Sequence, residues 1–127
     1  MSYIESPRAT GGERLAAALA HASIFFFPIV LPAAIFFLYP LAFGSSPYVR
    51  SQTAQSFMFH LLVLIVSGVL GGMAAFLWHI ILIGWLPAIA CALAAGGLWL
   101  WAAIMEVVAL LKVLQGERAN LPIVGGW

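Results

Sequence analysis

The chain has 127 residues, the size of one modest domain, and 65% of it is hydrophobic while 7% is charged. Soluble domains carry about 25% charged residues, so this composition cannot cover a water-facing surface and lipid must solvate most of the chain. A net charge of +1 with no basic cluster gives no ground for a nucleic-acid partner, and the single cysteine, Cys91, cannot form an internal disulfide.

The placement of the charges divides the chain. Glu5, Arg8, Glu13 and Arg14 lie in the first segment, Lys112, Glu117 and Arg118 near the end, and only Arg50 and Glu106 lie between. Residues 1–12 read as a polar arm. A helix is predicted from Glu13 to Phe27, where Pro28 and Pro32 remove hydrogen bonds and interrupt it. A second apolar helical stretch runs from Leu31 to Phe43, and the segment from Pro40 through Gly44 to Pro47 closes it with turn residues. Residues 51–77 and 87–114 read as two long transmembrane helices, with a turn at residues 78–87 and a tail at residues 115–127. Each long stretch exceeds the roughly 20 apolar residues that a crossing needs.

The uncharged run of residues 15–49 can cross once or fold as a hairpin broken at Pro28 and Pro32. A single crossing divides the five basic residues almost evenly between the two sides. A hairpin gathers all five on one side, as the positive-inside rule favours, and places both termini in the cytoplasm of a bacterial inner membrane. Its arms are short for full crossings, so the hairpin is either re-entrant or thins the bilayer. The predicted fold is therefore all-α: one polytopic membrane domain with a broken hairpin over residues 13–43 and two long transmembrane helices.

A few polar residues stand out against the apolar background. Glu106 lies six residues before Lys112, about 9 Å along a helix. An ionisable group at that depth is costly and marks a candidate site; the plainer reading is a structural pair with a neighbour. His21 and Gln55 lie at comparable depth from Arg14 and Arg50, and Gln52, Gln55, Ser56 and His60 share one helical arc. His21, Gln55, His60 and Glu106 could thus form a buried cluster, either as structural glue or as a proton relay. His21, His60 and His79 lack the spacing of metal ligands, and no nucleophile–base pair appears. Gly68 and Gly72 form a GxxxG element, while Ala88, Ala92 and Gly96 place small residues every four positions. Both patterns permit close helix contacts, within the chain or between copies.

Several segments together resemble a known family. Glu13-Arg14 is followed by Ala20-His21, by the Pro28 and Pro32 region, by Ser46-Pro47-Tyr48-Val49-Arg50, by Ala54-Gln55 and Phe59, and then by Lys112, Gly116-Glu117 and Pro122. In order and spacing these resemble a widespread bacterial membrane family of unknown function, related to the four-helix membrane subunit of the chloroplast inner-envelope Tic import translocon. The chain departs from that pattern in the apolar stretch before Ser46, at Met58, and in the tail before Pro122. The resemblance implies a compact membrane bundle with cytoplasmic termini and no established enzymatic activity. The expected class is a non-enzymatic membrane module without a cofactor, an accessory subunit or small homo-oligomer whose partners are the lipid bilayer and other membrane proteins or itself. The alternative is a transport or translocation component lined by the polar arc and Glu106.

Overall fold

A computed structural model describes residues 8–80 and 83–125. Among them the architecture is all-helical: α1 (Gly11–Ala22), a 3-10 turn (Ser23–Phe25), α2 (Val30–Phe43), α3 (Pro47–Trp78) and α4 (Trp85–Leu114). Residues 1–7 of the expected polar arm, and the last two residues of the tail, lie outside the described residues.

The start of α1 is set by a capping box. The Glu13 backbone N–H donates to the Thr10 hydroxyl at 3.3 Å, and the Thr10 backbone N–H donates to the Glu13 carboxylate at 2.7 Å. Alanines then fill the helix; Ala16, Ala17, Ala18 and Ala20 are buried, and their small side chains let α1 pack closely against both α3 and α4. The α-helix stops at Ala22, five residues short of the predicted Phe27. The Ser23 hydroxyl donates to the Ala20 carbonyl at 2.5 Å, a local bond that competes with the helical ladder and tightens the chain into the 3-10 turn ahead of Pro28.

The third helix begins at Pro47, four residues before the predicted 51. Ser46 is its N-cap, accepting from the Val49 N–H at 3.2 Å, and Pro47 occupies the first helical position, where its missing N–H costs nothing. The Ser-Pro pair that reads as a loop end is a helix start. Helix α4 likewise begins at Trp85, two residues before Pro87. Trp78 and Trp85 stack with centroids 5.8 Å apart and close the far end of the α3–α4 pair. Gly84 is obligatory there, because a Cβ would lie 1.8 Å from the Leu77 carbonyl oxygen. Residues 81 and 82 of this turn lie outside the described residues.

Residues 13–43 form a hairpin. The Ser46 hydroxyl donates to the Glu13 carboxylate at 2.6 Å, so the start of α1 and the start of α3 sit at one level although 33 positions separate them. The apex is fixed by the Pro28 carbonyl, which accepts from His60 Nδ1 at 2.6 Å. His60 is fourteen residues beyond Ser46, so the hairpin descends about 21 Å alongside α3 at 1.5 Å per residue. Helix α3 continues for about 27 Å beyond it. The hairpin therefore covers one half of the long helical pair and leaves the other half without it.

Burial follows that division. In α3 the buried residues run from Tyr48 to Val63, and in α4 they are Ala88 and then Ala102, Glu106, Ala109 and Val113. Beyond the hairpin, Ile65, Val69, Met73, Phe76, Leu86 and Leu93 are exposed. Both long helices meet the length and apolarity of a membrane span.

The tail folds back over the covered end. Ala119, Leu121 and Val124 are buried, and the Tyr48 hydroxyl donates to the Glu117 carbonyl at 2.8 Å. Gly116 permits the turn: its φ is +82°, and a Cβ there would lie 2.8 Å from the Arg14 guanidinium.

Candidate functional site

Four elements converge on Glu106. It projects from α4 into the space between α1 and α3 and is 1% exposed. One carboxylate oxygen, Oε2, lies 2.6 Å from His21 Nδ1, and the other, Oε1, lies 2.6 Å from His60 Nε2. His21 comes from the last turn of α1, His60 from α3, and the Pro28 carbonyl that holds the far side of His60 comes from the hairpin apex. Gln52 and Ser56, about two turns and one turn before His60 on α3, complete the set: Gln52 Oε1 is 3.0 Å from His21 Nε2 and the Ser56 hydroxyl 2.9 Å from His21 Nδ1.

The hydrogen-bond partners fix where the protons are. The Pro28 carbonyl can only accept, so His60 carries a proton on Nδ1. Gln52 Nε2 donates to the Ala119 carbonyl at 3.3 Å, which turns the amide oxygen toward His21 and requires a proton on His21 Nε2. In their neutral forms both imidazoles would therefore present bare lone pairs to the carboxylate. A charged Glu106 between two neutral rings would bring like lone pairs to 2.6 Å on both sides. The contact between His60 Nε2 and Glu106 Oε1 completes no hydrogen bond.

The carboxylate stands between the two rings, each ring nitrogen meeting a different oxygen. No grouping of His, Cys, Asp or Glu suited to a metal ion occurs among the described residues.

Gln55 does not join this cluster. Its side-chain oxygen accepts from the Leu121 backbone N–H at 3.2 Å, so it anchors the tail, while Gln52 takes the place beside His21. The sequence points to Gln55 as the cluster member on the arc it shares with Gln52, Ser56 and His60, whereas the small offset around α3 brings Gln52 and Ser56 to His21 instead. The tail carbonyls and N–H groups used by Gln52 and Gln55 carry no side-chain signal and could not be read from sequence.

Among the described residues, no side chain or other helix closes over Gly68 or Gly72. Both are exposed, and a Cβ at either position would meet nothing within 4 Å. The hairpin is too short to reach that level, which leaves this face without a partner helix. Gly96 and Ala92 are likewise exposed, whereas Ala88 is buried. At the polar end, Arg14 donates to the Ala9 carbonyl at 3.0 Å. The Glu13 carboxyl is held below its ordinary value of 4.5, chiefly by the Ser46 hydroxyl and next by the Thr10 backbone N–H.

A buried carboxylate clamped by two histidines inside a membrane-spanning bundle defines a small polytopic membrane protein with one enclosed polar centre. The sequence matches the magnetosome magnetite crystal formation protein family (MamF/MmsF) over residues 12–127, and the chain belongs to that family. This is a bacterial membrane family, as the sequence resemblance implies, but the match carries no relation to the Tic translocon. No curated protein and no solved structure matches the chain.

Proposed function

We propose that the chain is a non-enzymatic module of the magnetosome membrane that supports magnetite crystal formation by packing against other membrane helices, its own copies included. The family supplies the setting, and one observation supports the mode of action: the polar groups are closed on one another in the covered half and do not continue into the other. Beyond His60, Ser67 is the sole hydroxyl in the membrane-spanning part of α3, and it donates to the Leu64 carbonyl of its own helix at 3.2 Å. His79 at the far end meets the Ala75 carbonyl at 2.6 Å. No chain of side-chain donors and acceptors links the Glu106 cluster to that end among the described residues. A lipid-facing surface of apolar and small residues is what the far half offers instead, with Gly68 and Gly72 on α3 and Ala92 and Gly96 on α4. In this reading Glu106, His21 and His60 lock the bundle, and both termini are cytoplasmic.

The test is carried out in a magnetite-forming bacterium whose own copy is replaced by variants. Gly68→Leu with Gly72→Leu blocks close approach on the outer face without touching the cluster, whereas Glu106→Gln alters the cluster and keeps its shape. The packing role requires that the glycine variant lower magnetite per cell and that Glu106→Gln, at equal protein level, leave it near wild type. A silent glycine variant together with a magnetite defect in Glu106→Gln would replace this role with proton or ion passage through the cluster.

A further inference from the structure

Between α2 and α3 lies an apolar groove of about 590 Å³ that the cluster does not use. Ala33 and Ala54 line it with small side chains, Phe36 and Phe57 line it with aromatic ones, and Arg50 stands on its lining at the polar end. Helix geometry orders these groups by depth. Ala54 lies one turn beyond Arg50 on α3, about 6 Å, and Phe57 almost another turn further. Helix α2 runs the opposite way, so Phe36 meets the Arg50 level, its ring centroid 5.7 Å from the guanidinium, and Ala33 lies deeper. Arg50 is exposed, and no carboxylate pairs with it among the described residues. It is also the last charge before the uncharged run of residues 51–105, which puts it at the level of lipid headgroups.

From this arrangement we infer that the α2–α3 groove is a binding site for one anionic phospholipid, with an acyl chain between Phe36 and Phe57 and the headgroup phosphate on Arg50. The apolar floor alone selects nothing, because lipid tails are as apolar as the side chains that face them. Selection falls to the headgroup. An unpaired guanidinium at the groove mouth, already tethered by the Phe36 ring, offers a planar fork of donors matched to a phosphate. A net negative headgroup completes the charge that the protein leaves open. A second copy packed symmetrically on this groove would bring another arginine to the same mouth, and no carboxylate among the lining residues would balance it.

The experiment is native mass spectrometry of the purified full chain in detergent containing equal amounts of phosphatidylglycerol and phosphatidylcholine. Wild type should retain phosphatidylglycerol about fivefold over phosphatidylcholine, the equivalent of about 1 kcal/mol for one cation at an anionic surface. Arg50→Gln should reduce that ratio to near one, while Lys112→Gln, which removes the same charge elsewhere, should leave it unchanged. Ala54→Trp, which fills the groove and keeps Arg50, should lower retention of both lipids, and it tests the groove independently should Arg50→Gln fail to fold. Equal retention by wild type, an unchanged ratio in Arg50→Gln, a loss of equal size in Lys112→Gln, or full retention in Ala54→Trp would each overturn the assignment. So would a dimer that Ala54→Trp abolishes, since a second copy would then be the occupant.

Discussion

The two halves of the long helical pair solve the same problem in opposite ways. In the half beside the hairpin, Gln52, Ser56, His60 and Glu106 project between helices, and α1, the apex and the tail supply a partner for nearly every polar atom. In the other half the sequence presents almost nothing polar, and α3 and α4 run on as a bare pair with exposed apolar side chains. Lipid cannot satisfy a free donor or acceptor, so polar side chains can be placed only where protein surrounds them. The depth of the hairpin and the extent of the polar arc are therefore one constraint seen twice: His60, the deepest member of the arc, sits at the level of Pro28, the apex.

The largest expected effect is at the centre of the covered half. Glu106→Leu strips the carboxyl from two buried histidines, and breaking a buried pair by removing one partner costs about 3–5 kcal/mol. Thermal unfolding in detergent should show this as a large fall in Tm. Glu106→Gln keeps one donor and one acceptor between the rings and should lose only about 1 kcal/mol. Equal losses for the two variants would mean that shape, not hydrogen bonding, holds the centre. A Leu substitution in the far half, such as Gly71→Leu, starts from a Cβ with no neighbour within 4 Å and should leave the stability of the monomer near wild type.

A matched pair of glycines sharpens the contrast at lower amplitude. Gly116→Ala forces a Cβ onto a left-handed turn 2.8 Å from the Arg14 guanidinium and should destabilise by about 1–2 kcal/mol. Gly72→Ala adds the same methyl group in open space on a helix and should be neutral or slightly stabilising. Urea or SDS titration of the two variants side by side reads the difference, and a destabilised Gly72→Ala would show that the far face is already packed against another helix.

The smallest effect lies at the polar rim. The Glu13 carboxyl is held below its ordinary value, so the folded chain binds that proton more weakly than the unfolded one. Its contribution is present above the ordinary carboxylate range and is lost as pH falls through the lowered value. The stability gap between wild type and Glu13→Gln should be small, because the site is solvent-screened, and should close below about pH 4. A gap that persists in acid would assign the effect to the shape of the cap rather than to its charge.

Much of this division could be read from the residues. The proline pair and the clustering of basic residues point to a hairpin, and the polar arc on α3 with the lone acid on α4 points to an enclosed centre. Glu106 and His21 stand 85 positions apart, yet their similar depth from flanking charges is enough to bring them to one level. What escapes is set by backbone rather than side chains. Gln52 rather than Gln55 reaches His21 because the tail offers a carbonyl at Ala119 to Gln52 and an N–H at Leu121 to Gln55, groups that every residue carries. The glycine pattern at Gly68 and Gly72 is legible as a contact surface, but whether a helix from the same chain reaches it depends on how deep the hairpin goes, and that depth is marked by the end of the polar arc at His60 rather than by the glycines themselves.

The half-depth hairpin is therefore the feature to measure. Single cysteines at Phe26 on the apex, Ser45 before α3 and the exposed Ile83 in the α3–α4 turn, each in a Cys91→Ala background, can be labelled in sealed vesicles with a membrane-impermeant maleimide. A hairpin that stops at the level of His60 leaves the Ser45 cysteine labelled from one side only, the Ile83 cysteine from the other, and the Phe26 cysteine from neither. Labelling of the Phe26 cysteine from the same side as the Ile83 cysteine would show that residues 13–43 cross the whole bilayer, and the division of the molecule into a covered and an uncovered half would fall with it.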